Sequence, residues 1–300
     1  MTLTVVKPAS ITDAVLINTD VAEADYPAWS ASTTYAVGSR VILVSTHKIY
    51  ESLQNTNLNN SPATATAFWN EVTPTNRWKL FDLSNSTQTT KSGSMFYELK
   101  TGSAVNAVSA LNLSGVQSIR IRLTDPVFGL LYDKTTSLTS IPSEPSWYAW
   151  FFSERIESVQ HVALDLPSYP NATVRVDLTG TSTMAIGVLM IGQQKVVSEE
   201  IRFGMRMGIR DYSRKEKNEW GDVVLVERAF SKTRSFPVQL RNDDLDRVDA
   251  LLASLRAKPC LWVGSDSFSS MTVFGYPSNF EIVVAYARFS DCTIDIEGLT

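Results

Sequence analysis

The sequence predicts a mainly β chain: an antiparallel, jelly-roll-like β-sandwich, a small inserted β module, and a C-terminal α+β domain with one packed helix. Three observations predict this. Strict apolar–polar alternation recurs through the middle of the chain, with Ile119, Ile121 and Leu123 set against Arg120 and Arg122, and Val174, Val176 and Leu178 against Arg175, Asp177 and Thr179. A period of two is the mark of a half-buried antiparallel strand. Only 19% of the 300 residues are charged, and much of the polarity comes from Ser, Thr and Asn, which suit the pleat and the turn. One stretch alone, "NDDLDRVDALLASLRAKP", carries a clear helical period.

The elements follow in order. Residues 1–25 contain "ITDAVLINTDVAE", read as one strand leading to a turn, and Tyr26-Pro27 breaks the pattern. Residues 26–74 form a compact unit, with an apolar strand at Val41–Val44, a turn at His47-Lys48, a second strand through Tyr50, and a polar loop over 54–67. From 75 to 197 the runs "RWKLFDLS", "SMFYELK", "SIRIRLTD", "WYAWFFSE", "HVALDLP", "TVRVDLTG" and "MAIGVLMIGQQKVV" read as strands separated by turns. So many strands in so short a span predict a sandwich, built from 1–25 and 75–197. In 198–300, "VVLVERAF", "RSFPVQL", "CLWVG", "MTVFGYP", "FEIVVAYAR" and "CTIDIEGL" are strands. A helix over 243–257 presents Leu245, Val248, Leu251, Leu252 and Leu255 on one face, with Asn242 or Asp243 as its cap and Pro259 as its stop.

Composition narrows the function. A net charge of −4 and a densest basic cluster, Arg202–Lys217, broken by Asp211 and Glu216 argue against nucleic acid as a partner. No apolar run reaches the roughly 20 residues of a membrane span, and no leader is expected at the amino end. The two cysteines, Cys260 and Cys292, lie in apolar strand-like runs and read as free buried thiols. The two histidines, His47 and His161, are far apart, and no zinc spacing or phosphate loop is present; Gly204 and Gly208 stand in a Met/Arg stretch. The carboxylates Asp165, Asp177, Asp243, Asp244, Asp295 and Glu297 each have a surface or capping explanation. No catalytic residue, metal or cofactor is expected. The seven tryptophans and ten tyrosines are more telling. The contiguous Trp147, Tyr148, Trp150, Phe151 and Phe152, read as a strand, send one face into a core and leave the other for an interface or a sugar platform.

At Trp29, Tyr35, Gly38, Val41, Tyr50, Pro62 and Trp69 the chain resembles the chitin-binding type 3 module, carbohydrate-binding families 5 and 12. Tyr35, Gly38, Tyr50 and Trp69 are then the module's core, because so small a unit relies on a few large aromatics. The family usually carries further exposed aromatics after the second Tyr, where this chain has Glu51-Ser52-Leu53-Gln54-Asn55-Thr56-Asn57, and Asp where it has Ser39. The sugar contacts left to it are Trp29, Tyr26 and His47.

The phrase "TPTNRWKLFDLSNSTQT" after the module, the stretch "FPVQLRNDDLDRVDALLASLRAKPCLWVG" and the closing "FSDCTIDIEGL" resemble proteins of tailed-bacteriophage tail tips, distal tails and baseplates, whose core unit is shared with tail-tube proteins. The resemblance implies a tail-hub-type domain at 198–300 and a structural virion component, assembled in the host cytoplasm as a homo-oligomeric ring. Other tail proteins would be its partners, and a host surface glycan would be a further one in host attachment. The alternative it leaves is a carbohydrate-binding adhesin.

Overall fold

The computed structural model describes residues 2–140, 146–152, 156–217, 220–265, 269–284 and 286–299. The fold is mainly β, sandwich-like and antiparallel, with one packed helix. It divides into two compact units, one made of 1–9, 105–107 and 191–300, the other of 10–104 and 108–190.

In the second unit, Leu16–Thr19, Thr89–Leu99, the first part of Thr173–Ser198, Ser118–Asp125 and Gly129–Ser137 hydrogen-bond side by side in that order. Ala107–Ser114 pairs with Gln160–Ala163. The alternation reads as expected: Ile119, Ile121, Leu123, Val174, Val176 and Leu178 are buried, while the opposite face carries the pairs Arg122–Asp177 and Arg175–Glu98. Such half-exposed pairs add little stability. Arg122 and Arg175 lie directly opposite one another, and the bridging carboxylates remove the repulsion that register would impose.

Two runs expected as strands are helical. "RWKLFDLS" forms a 3₁₀ turn at Lys79–Phe81. Residues three apart eclipse in that geometry, so Trp78 and Phe81 meet edge to face at 5.7 Å. "WYAWFFSE" gives the helix Trp147–Phe152. A strand would send these large residues to both faces and need both faces covered, whereas in the helix Tyr148 and Phe152, four residues apart, meet at 4.6 Å with their rings tilted by 40°. Trp147, Tyr148, Phe151 and Phe152 are all exposed, so the expected core-facing set is not formed by them.

In the first unit, Leu3–Pro8, a strand that the amino-terminal sequence did not announce, lies between the Gly192–Ser198 end of the long strand and Cys260–Val263. Cys260–Val263, Thr272–Val283, Phe289–Gly298 and Phe230–Arg241 continue the order. The helix packs on this sheet, as its apolar face requires: Val248, Leu252 and Leu255 are buried with Trp262, Phe236 and Ile294, and Leu245 and Leu251 pack at their margin. Its ends differ from expectation. A 3₁₀ turn, Asn242–Asp244, precedes Leu245–Ser254, and no side chain caps it. Asn242 is drawn away, its amide donating to the Tyr286 carbonyl and its oxygen accepting from Ser290. The helix ends early because Ala257 takes a positive φ of 56° before Pro259.

Cys260 and Cys292 are free and buried. Burial pushes their thiols up to about 11 and about 12, so they behave as small apolar side chains.

Leu252→Asp places an unpaired charge under the helix and is expected to cost about 3 kcal/mol or more. Ala250→Asp, on the exposed side of the same helix, is expected to melt within a degree or two of the parent. Equal melting temperatures for the two variants, followed by circular dichroism, would contradict the packing of this face.

Candidate functional site

The module is built on three strands, Arg40–Leu43, Lys48–Ser52 and Trp69–Pro74, with Thr34–Tyr35 pairing across to Asn57–Leu58 inside the stretch expected as loop. Val41, Tyr50 and Trp69 are its buried centre, with Trp29, Tyr35, Leu43, Ala65 and Phe68 packed around them. Tyr35 meets Trp69 edge to face at 5.2 Å, and its hydroxyl accepts from the Ser30 amide at 2.8 Å. The Trp69 indole donates to the Asn60 carbonyl at 2.9 Å. Gly38 turns the chain with φ 80°, a conformation costly for side-chain-bearing residues, and its amide donates to the Ser52 carbonyl. The four aromatic-core positions thus face inward, or make the turn that allows it.

The three candidate sugar contacts are engaged in different places. Tyr26 accepts from Arg40 at 3.2 Å, and Arg40 also grips Glu51. Trp29 is half-buried against the module core, with its indole nitrogen enclosed. His47 sits at the tip of the first hairpin with φ 56°, a region where His is enriched. Its Nδ1 lies 3.0 Å from Glu23 and its Nε2 2.7 Å from Asp13. Its ring stacks on Trp78 at 4.2 Å and 19°. No hydrogen bond or ring contact joins Tyr26, Trp29 and His47 to one another among the described residues. The stretch 53–56 is exposed, and none of the module's large exposed apolar side chains, Val37, Val44, Leu53, Leu58 and Val72, is aromatic.

The cluster around Glu23 escapes sequence reasoning because its members are scattered. The Glu23 side chain is only 7% exposed. It accepts from Thr75 Oγ1 at 2.9 Å, with Arg77 3.8 Å away. Arg77 also donates to the Val21 carbonyl, the Asn76 amide donates to Asp25, and the Thr75 amide donates to the His47 carbonyl. The aromatic line continues from Trp78 through Phe81 to Tyr97. Burial raises the Tyr97 phenol, whose hydroxyl donates to the Arg77 carbonyl. The signal available was the spacing of Trp78 and Phe81, three apart, which fits a turn better than a strand.

Chemistry-bearing groups elsewhere are tied up. His161 is half-buried on Gln160–Ala163, and burial, then Lys134, hold it below the usual histidine range, with Asp165 opposing. Asp165 itself takes bonds from Tyr132 and Lys134; burial pushes its carboxyl up, but those bonds outweigh it and leave it low. Glu297 accepts from Arg210 and Tyr212. Among the described residues no group of three or more His, Cys, Asp or Glu is placed to hold a metal ion. In the His47 cluster the two carboxylates lie on opposite ring nitrogens and cannot share one ion with it. Among the same residues no helix is long and apolar enough to cross a membrane.

Comparison with family models, curated proteins and solved structures finds no match.

One further surface stands out. From 203 to 230 every described residue is exposed except Met205 and Ser213, which are half-buried. This ribbon carries Phe203, Met207, Ile209, Trp220, Val223, Val224, Leu225, Val226 and Phe230 in the open.

Trp69→Ala removes the module's largest buried ring and is expected to cost about 3–5 kcal/mol. Hydrogen exchange should then show protection lost over 26–74 and kept over 108–190. His47→Ala should spare the protection of Tyr50 and Trp69 and raise exchange at Thr75–Trp78, because Glu23 loses a partner worth about 1–3 kcal/mol. Unchanged exchange at Thr75–Trp78 would show that His47 does not hold this seam.

Proposed function

We propose that this chain is a structural subunit of a tailed-phage tail tip or baseplate. It assembles through the unit of residues 1–9 and 191–300 and carries the 26–74 module as a presented element. Copies of itself in a ring and other tail proteins are its partners, and the virion tail is its place. The reading contains no catalytic step, metal or cofactor.

The exposed ribbon at 203–230 carries this reading. Soluble monomers rarely expose a contiguous apolar surface of this kind. Among the described residues, strands Arg214–Lys217 and Val223–Val226 pair only with each other, and an isolated two-stranded hairpin is marginal in water. A subunit whose exposed arm is covered on assembly meets both constraints. The resemblance of the sequence around the helix and last strand to tail-hub units supplies the kind of assembly.

Replacing Val224 and Leu225 together by Asp puts a charge on each face of the hairpin. It is expected to weaken association by about 3 kcal/mol or more, at least a hundredfold in dissociation constant. Sedimentation should show the parent as a multimer and the double variant as a monomer at the same concentration. A parent that stays monomeric at every concentration would end this reading.

One observation favours the adhesin as a second reading. The rings that stacking on a sugar needs are buried or half-buried in the module but exposed at Trp147, Tyr148, Phe151 and Phe152. On that reading, calorimetry with host polysaccharide should register binding that Trp147→Ala weakens by about 1 kcal/mol or more, while Trp29→Ala leaves it unchanged. Binding lost through Trp29 alone would return the site to the module.

A further inference from the structure

The polar face of the second unit's sheet holds a cavity of about 480 Å³. Its floor follows from strand alternation, which sends every second residue of neighbouring strands to one face. Glu98 lies opposite Arg175, Arg175 opposite Arg122, and Arg122 opposite Asp133. Two residues along, Thr173 lies opposite Thr124. Lys100 lines the cavity at that end and Arg120 at the other, and Ile17, Pro126 and Leu130 add an apolar margin. A volume of this size suits a small molecule more than a bare ion.

The charges do not balance. Against Lys100, Arg120, Arg122 and Arg175 stand the carboxylates of Glu98, Asp133 and Asp177, which leaves one positive charge over. Lys100 is exposed and takes no part in these pairs. In each pair the guanidinium is the more exposed member, 45% against 29% for Arg120 and Asp133, 31% against 24% for Arg175 and Glu98, and 28% against 22% for Arg122 and Asp177. The carboxylates therefore lie lower, and the cavity presents mainly donors. A guanidinium has more N–H donors than these bonds consume: Arg120 and Arg175 spend two each and Arg122 one. The pairs fix the arginines without exhausting them, and the Phe96 ring backs Arg175 at 4.1 Å. Donors already held in place lose little freedom when an oxyanion arrives.

We propose that this cavity binds an acidic saccharide, a sugar carrying a carboxylate or a phosphate. The oxyanion meets Lys100 and the outward donors of Arg120, Arg122 and Arg175. The sugar hydroxyls, which both donate and accept, use the Thr124 and Thr173 hydroxyls and the Glu98 and Asp133 carboxylates. Those carboxylates disfavour a ligand that is acidic along its whole length. The proposal does not rest on the assembly reading, and its site is separate from the ring cluster of the adhesin reading.

Isothermal titration calorimetry tests it with tri-galacturonate, glucose 6-phosphate, maltotriose, triglutamate and inorganic phosphate. Tri-galacturonate or glucose 6-phosphate is expected to bind at least about tenfold more tightly than the last three, and the one that binds better distinguishes carboxylate from phosphate. Lys100→Glu and Arg120→Gln are each expected to weaken that binding by about tenfold, with unchanged near-ultraviolet spectra. Arg256→Glu, an exposed charge reversal in the other unit, and Trp147→Ala are expected to leave it unchanged. No binding of either acidic sugar overturns the proposal. So does equal binding of maltotriose, triglutamate or inorganic phosphate, or an equal loss in Arg256→Glu or Trp147→Ala. Binding is read per chain, so a parent that never associates overturns the assembly reading alone.

Discussion

A carboxylate taken out of water must be met by donors, and Glu23 is met by side chains from distant parts of the chain. His47 reaches it from the tip of the module's first hairpin, and Thr75 and Arg77 from the segment just after the module. Glu23 itself belongs to the segment just before. An insertion of some fifty residues is thereby fixed at its entrance, its exit and one point in its middle. The stacked His47 and Trp78 rings add apolar contact where the polar bonds converge. Removing any one donor leaves a charge with too few partners, which costs more than the bond it loses.

That arrangement changes what the module's remaining polar and aromatic residues are for. His47, a candidate for ligand contact on residue type alone, spends both ring nitrogens and one ring face on the chain that carries it. Tyr35, Tyr50 and Trp69 face inward because a unit this small has no other source of buried area. What the module turns outward at 53–56 is Leu53 and three polar residues, with no ring among them. Exposed aromatic side chains lie elsewhere, on the helix Trp147–Phe152 and on the ribbon of 203–230.

The alternating strands were legible because a two-residue period has a single structural meaning when one face is buried, as at Ile119–Leu123 and Val174–Leu178. The packed helix was legible for the same reason at its own period. Its ends were not, because the Asn242 side chain is claimed by Tyr286 and Ser290, residues more than forty positions away. "RWKLFDLS" and "WYAWFFSE" misled because clustered aromatics satisfy a strand, a 3₁₀ turn or a short helix equally well until neighbours decide. Leu3–Pro8 did not announce a strand because Val5 and Val6 are adjacent and both buried, which breaks the alternation, and it exists because the edges at Gly192–Ser198 and Cys260–Val263 both pair with it.

By itself the sequence determined that the chain is mainly β, that residues 26–74 fold around a few aromatics, that one helix packs its leucines on a C-terminal sheet, and that Cys260 and Cys292 are buried. All of these follow from local pattern and composition, which act over a few residues. Only the tertiary structure decided that Glu23, His47, Thr75 and Trp78 form one seam, and that the strands Arg214–Lys217 and Val223–Val226 are exposed along their length. Those facts depend on which distant segments share a sheet edge or a buried charge, and no local period carries that information.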